Sequence, residues 1–214
     1  MDQSRPRRIV VGVTGASGAL YAARLVQLLV AAEVETHLVV SPLGQRLLRD
    51  ELGMEGVDLA GLAGLPAGSP PPKHLVHHHH KDVGATVASG SFRHDGMIVC
   101  PCSSNTLGAV AAGSAQNLIQ RAAHVALKER RRLVLVHRET PLSLIDIRNM
   151  ATVTEAGAVV APANPGFYKL PKTLEEVADF VVGRCLDLVG VAHNLDIRWS
   201  GRVSDGLRTS GVKG

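Results

Sequence analysis

Aromatic side chains are scarce in this sequence: Phe, Trp and Tyr make up 3% of 214 residues, with a single tryptophan. A core must therefore be assembled mostly from Val, Leu, Ile and Ala, side chains that suit a tightly packed parallel sheet under helices. Cysteine is nearly as rare. Cys100, Cys102 and Cys185 cannot build a disulfide framework, and Cys100 and Cys102 stand too close in sequence for a redox or zinc pair. Long apolar runs are missing too. Arg5, Arg7 and Arg8 precede an apolar stretch at 9–13, but Gly15, Ser17 and Gly18 interrupt it too early for a signal-peptide core. No stretch reaches transmembrane length, so a cytoplasmic location and no membrane partner are expected. Nor is charge concentrated: 23 basic residues stand against 19 acidic ones. The run Arg130, Arg131, Arg132 has no basic tail or zinc-finger spacing beside it. Nucleic acid is therefore a poor partner, and a smaller anion such as a phosphate ester fits the balance as well.

What is present is alternation. Hydrophobic residues at 45% and charged residues at 20% describe a globular chain, long enough for one domain with a sizeable core. Strands are predicted at 8–13, 34–40, 96–100, 133–137 and 158–161, and helices at 19–32, from Ser41 to about Leu52, from near Ser103, at 117–131, 142–153 and 173–190. The Gly- and Pro-rich stretch 53–74 reads as a surface excursion with a short helical piece. Strands alternating with helices imply right-handed crossovers, hence a three-layer, Rossmann-like or flavodoxin-like α/β fold with a mostly parallel sheet. The whole of 1–214 is expected to be one domain, with a polar, extended tail from about residue 200 suited to contact with a partner subunit.

In such a sheet the loops leaving the carboxyl ends of the strands converge on the ligand. Thr14-Gly15-Ala16-Ser17-Gly18 offers close backbone approach and phosphate donors, although a plain βα turn with a serine cap explains it too. Cys100-Pro101-Cys102-Ser103-Ser104-Asn105-Thr106 clusters small polar residues at a helix start, where an ordinary cap accounts for only one of them. Its cysteines suit buried fillers better than nucleophiles. Arg121 and Lys128, seven apart on one helix face, could close over a phosphate or belong to a solvated end. Arg138 and Glu139 follow a strand, where an Arg fork clamps phosphate and a Glu of limited hydration can move protons; a surface ion pair is the alternative. Arg184 lies in an apolar helix and needs an anionic partner if buried. His77 to His80 invite a metal, but adjacent strand residues point apart and no ligand set completes a site.

Six segments in order make a further case: GVTGASG at 12–18, ASGSF at 88–92, GMIVCPCSSNTL at 96–107, NLIQRAAHVALKERR at 117–131, LVLVHRETPLSLI at 133–145 and PGFYKLP at 165–171. With them the sequence resembles the UbiX/Pad1 flavin prenyltransferases, in the homo-oligomeric flavin-containing cysteine decarboxylase superfamily, from about Ile9 to Trp199. The resemblance implies transfer of a dimethylallyl group from dimethylallyl monophosphate to reduced FMN, giving prenylated FMN for a UbiD-type decarboxylase. It also implies a dodecamer of trimers with active sites at subunit boundaries and chemistry without a metal. Residue by residue, it implies FMN contacts at Thr14, Gly15, Ala16, Ser17, Ser41, Ser103, Ser104, Thr106 and Arg121. A donor pocket is implied at Ser89, Lys128, Arg138, Tyr168 and Arg184, with Glu139 and Ser17 moving protons and Trp199 near neighbouring subunits. An FMN-dependent decarboxylase and a non-enzymatic FMN carrier are the competing readings. Gln116 and the histidine run fall outside the family's pattern.

Overall fold

Valine-rich runs buried on both sides pair into one parallel sheet in the computed structural model, which describes residues 5–199. The strands are β1 (Arg8–Val13), β2 (Glu35–Val40), β3 (Leu75–His79), β4 (Gly96–Cys102), β5 (Leu133–His137) and β6 (Val159–Val160), in the spatial order β3-β2-β1-β4-β5-β6. All five pairings are parallel. The helices are α1 (Ala19–Ala31), α2 (Pro42–Leu52), α3 (Leu59–Leu62), α4 (Ser104–Ala111), α5 (Leu118–Lys128), α6 (Leu144–Glu155) and α7 (Leu174–Val189). One face of the sheet packs against α1, α2, α3 and α7 through Leu25, Leu48, Leu62 and Val182; the other packs against α4, α5 and α6 through Leu107, Ile119 and Val153. This is the three-layer Rossmann-like arrangement expected from the alternation.

Helix starts follow local chemistry. Ser41, Ser103, Asn117 and Thr173 each accept a hydrogen bond from a backbone amide of the first turn. Ser143 and Asp146 form a reciprocal capping box on α6. Two segments differ from expectation. His77 to His79 of the histidine run, which periodicity leaves unassigned, belong with Leu75 and Val76 to the edge strand β3, which pairs in parallel register with β2. The excursion at 53–74 does contain a short helix, α3, but its Leu62 is fully buried beneath α1 and is thus spent inside this chain.

Candidate active site

The chain leaves β1 for β2 on one side and returns beside β1 as β4 on the other, so a crevice opens between the carboxyl ends of β1 and β4. Thr14, only 2% exposed, sits in it. Its hydroxyl donates to the Pro101 carbonyl at 2.8 Å and accepts the Ser103 amide at 2.9 Å. Thr14 thereby joins two loops, and both of its hydroxyl bonds are made within the protein. Beyond it, Gly15 and Ser17 are exposed and Ala16 is buried. A Cβ on Gly15 would lie 2.4 Å from Leu43 Cβ, so only glycine lets this loop pass so close to α2. The first amides of α1, which sequence reasoning offers to a phosphate, are already met: Gly18 and Ala19 donate to Glu51 Oε2 at 3.0 and 2.8 Å.

Ser41 accepts the Gly44 amide at 3.0 Å, and Ser103 accepts that of Thr106 at 3.3 Å, so both serines hold their helix amino termini toward the same edge. Ser104 hydrogen-bonds His137 Nε2 at 3.0 Å. Asp146 completes this group. The Ser143 hydroxyl above all, with help from Ser104, holds its carboxyl down at about 2. Burial lowers the pKa of His137 while Asp146 pulls it the other way. Glu51, His137 and Asp146 are missed by sequence reasoning, although Ser143-x-x-Asp146 is a readable capping pattern.

Arg138 follows β5 with its amide donated to the Cys102 carbonyl at 3.2 Å, which seats it beside the β4 turn. Its Nε is buried without a partner. Arg138, Glu139, Met150, Pro162 and Asn164 line a cavity of about 380 Å³ at this edge. Glu139 accepts the Thr140 amide at 3.0 Å and is exposed. Tyr21, in the first turn of α1, is a further neighbour that sequence reasoning overlooks. Burial raises its phenol pKa, the charge of Arg138 lowers it, and its ring packs on Gly18.

The remaining predicted residues do not all join this group within one chain. Helix α5 runs antiparallel to the strands, from Leu118, whose amide bonds His80 just past β3, down to Lys128. Arg121 is therefore at the carboxyl edge, and Lys128, seven residues on, is about 10 Å farther along the axis. Lys128 pairs with Glu129 and reaches over the backbone of Gly90, where a Cβ would lie 2.8 Å from its Nζ. Ser89 is next to that point and bonds Ser91 at 2.8 Å. The length of β5, about 16 Å for five residues at ~3.3 Å each, separates this pair from Arg138. Arg184 is 57% exposed and pairs with Asp187 at 3.1 Å, so it is not a buried charge awaiting an anion. Tyr168 donates its hydroxyl to the Ile197 carbonyl at 2.8 Å and packs edge-on against Phe180 and Trp199.

All three cysteines are free and buried; burial pushes the thiols of Cys102 and Cys185 up to about 12 and raises that of Cys100 well above the ordinary thiol range. They are thiols at neutral pH, poor nucleophiles. In β3, His77 and His79 pair with Leu38 and Val40, and His78 with Val39 on the other face, where it bonds His37 at 2.8 Å. Among the described residues no three His, Cys, Asp or Glu side chains gather as a metal site would require.

Residues 1–186 match the model of the Flavoprotein family. The flavin prenyltransferase UbiX of Deinococcus radiodurans is 47% identical over 92% of this chain and 95% of its own length. The mitochondrial flavin prenyltransferase PAD1 of Saccharomyces cerevisiae is 44% identical over 92% of this chain and 77% of its own. Among solved structures, AnUbiX in complex with FMN and dimethylallyl pyrophosphate superposes with a TM-score of 0.80 at 44% identity, covering 92% of this chain and all of that one. A dodecameric FMN-dependent UbiX-like decarboxylase from Escherichia coli O157:H7 superposes at 0.79 with 42% identity, covering 91% of this chain and 100% of that one. With relatives this similar over nearly their whole length, and with their fold, the chain belongs to the UbiX-type flavin prenyltransferases within the Flavoprotein family.

Proposed function

We propose that this enzyme transfers a dimethylallyl group from dimethylallyl monophosphate to N5 and C6 of reduced FMN, releasing phosphate and supplying prenylated FMN to a UbiD-type decarboxylase. The observation that carries this reading is the buried, unpartnered Nε of Arg138 at the carboxyl-edge cavity, beside Glu139. A buried guanidinium edge left bare costs stability unless an anion meets it, and a phosphate ester is the anion that the fork fits. The residues around the crevice suit FMN as well. Exposed Gly15 and Ser17, the α2 and α4 starts capped by Ser41 and Ser103, and Arg121 offer donors from one edge.

Reduced FMN, when bound, supplies the nucleophilic positions. The protein's part is positioning and charge. Thr14 fixes the crevice, while Ser103, Ser104 and Thr106 order the turn that borders it. Arg138 would hold the leaving phosphate, where charge develops as the carbon–oxygen bond breaks. Glu139 and Ser17 would carry protons. Ser89 and Lys128 would complete the donor pocket from a neighbouring subunit, with Tyr168 and Arg184 as further contacts. That assignment favours a homo-oligomer, a dodecamer like the E. coli relative. The exposed Leu144, Ile145 and Ile147 of α6 support an apolar subunit contact. One domain over 1–214 fits this reading. No helix among the described residues is long and apolar enough to cross a membrane. Three free thiols suit the reducing cytoplasm.

The test is anaerobic incubation of the purified chain with reduced FMN and dimethylallyl monophosphate, then mass analysis of the extracted flavin. A flavin heavier by one prenyl unit is expected. Unchanged flavin on protein that demonstrably binds FMN overturns the transferase reading, and turnover of a carboxylic acid would replace it with the decarboxylase.

A further inference from the structure

A cavity of about 650 Å³ opens at the amino-terminal edge of the sheet, the end away from Arg138. Arg7, just before β1, lines it together with Arg130, Arg131 and Arg132, which link α5 to β5. Two carboxylates share the wall, but other cations hold them. Asp95 takes both arms of Arg5, at 3.1 and 2.8 Å, and Asp187 meets Arg184 at 3.1 Å. Arg131 donates to the carbonyls of Gly90 and Phe92, both at 2.6 Å, so neutral groups take these hydrogen bonds. Among the described residues, none of these four arginines pairs with a carboxylate.

A second observation points to a ligand. His94 is 5% exposed and lines the same cavity. Its Nδ1 donates to the Gly96 carbonyl at 3.1 Å, and its Nε2 is buried without a partner. Burial first, then Arg131, pushes its pKa down to about 4, so at neutral pH Nε2 is a bare acceptor. A simple anion would satisfy the arginines and leave that acceptor empty. The volume, within the ~300–1,000 Å³ typical of small-molecule sites, is also far more than one phosphate needs. Leu127, Leu188 and Val189 supply an apolar wall.

We propose that this cavity is a second ligand site, separate from the flavin site, that takes an organic phosphate: the phosphate among Arg7, Arg130 and Arg132, a hydroxyl or N–H of its body on His94 Nε2, and an apolar face on Leu188 and Val189. Adenosine monophosphate has that chemistry and serves as the probe, with inorganic phosphate as the control for the charge alone. Calorimetric titration uses the full chain saturated with FMN, at low ionic strength, since surface charge is screened by salt. Adenosine monophosphate should bind with one site per chain and at least about tenfold more tightly than inorganic phosphate. The variant R130E/R132E should lose about tenfold or more of that affinity, and R138A none. Both substituted arginines are exposed, and an R132A single variant should show a partial loss if the double variant is misfolded. Three results overturn the proposal. One is binding lost in R138A and kept in R130E/R132E, which puts the ligand in the donor pocket. Another is equal affinity for inorganic phosphate, which leaves a plain anion patch. The last is no binding of either probe.

Discussion

The Thr14 hydroxyl accepts the Ser103 amide at 2.9 Å, and through that bond the loop after β1 is fixed to the turn that opens α4. The same oxygen donates to Pro101, so one side chain closes the crevice where the strand order reverses. Thr14, a flavin contact by the resemblance, thus makes both of its hydroxyl bonds to the protein's own loops.

Thr14→Val keeps the shape and removes both bonds. It leaves the Ser103 amide to find another partner in a part-buried setting, while the Pro101 carbonyl keeps the Thr14 backbone amide at 3.2 Å, a net loss of about 1–3 kcal/mol. Urea unfolding of the flavin-free protein should show that loss, and FMN affinity measured by fluorescence quenching should fall with it. Thr14→Ser should restore both. Weakened FMN binding at unchanged stability would instead mark Thr14 as a direct contact.

Arg138→Lys keeps the charge and removes the planar fork whose Nε is unpartnered. If that fork clamps the donor phosphate, kcat/KM for dimethylallyl monophosphate should drop about tenfold or more, while FMN affinity stays near that of the wild type. An equal fall in FMN affinity would move Arg138 from the donor to the flavin.

His94 makes stability depend on pH. Its folded pKa of about 4 lies below the ordinary 6.5, because burial and then Arg131 disfavour the cation; His37 adds to this, and the Gly96 carbonyl and Asp95 oppose it. The unfolded chain therefore takes up the proton first. The contribution is complete above pH 6.5 and is lost as pH falls toward 4, at about 1.4 kcal/mol per pH unit, or about 3 kcal/mol in all. Unfolding free energies measured from pH 7 to 4 should decline, and H94N should flatten that decline. A parallel decline in H94N would assign the slope to other groups.

Most strands, helices and caps were legible because they rest on local rules: β1 and β5 on short β-branched runs, α2 on Ser41 before Pro42, α7 on Thr173. Strand β3 was not, because the histidines that fill its second half carry no apolar period, and only pairing with β2 makes Leu75–His79 a strand. The placement of Thr14, Ser103 and Arg138 at the carboxyl edge was legible, because it depends on which loop follows which strand. The site was not legible where a distant residue turns toward it. Glu51 reaches the α1 amides from the end of α2, and Tyr21 feels the charge of Arg138 from the first turn of α1; nothing in the order of residues announces either.

The separation of Lys128 from Arg138 by the length of β5 gives the sharpest test of a shared site. If one chain supplied both groups to one pocket, K128A and R138A would each be inactive, and mixing them would change nothing. If a pocket takes Lys128 from one chain and Arg138 from its neighbour, a mixed oligomer contains pockets in which each chain contributes its intact residue. Random assembly of equal amounts makes about a quarter of the pockets complete, given a heterologous interface that repeats around the assembly. Co-expression of the two variants with different tags, tandem purification and assay of prenylated FMN should therefore recover activity of that order, well above either variant alone. Activity no higher than that of the single variants, in oligomers shown to be mixed, would confine Lys128 to its own chain and remove it from the donor pocket.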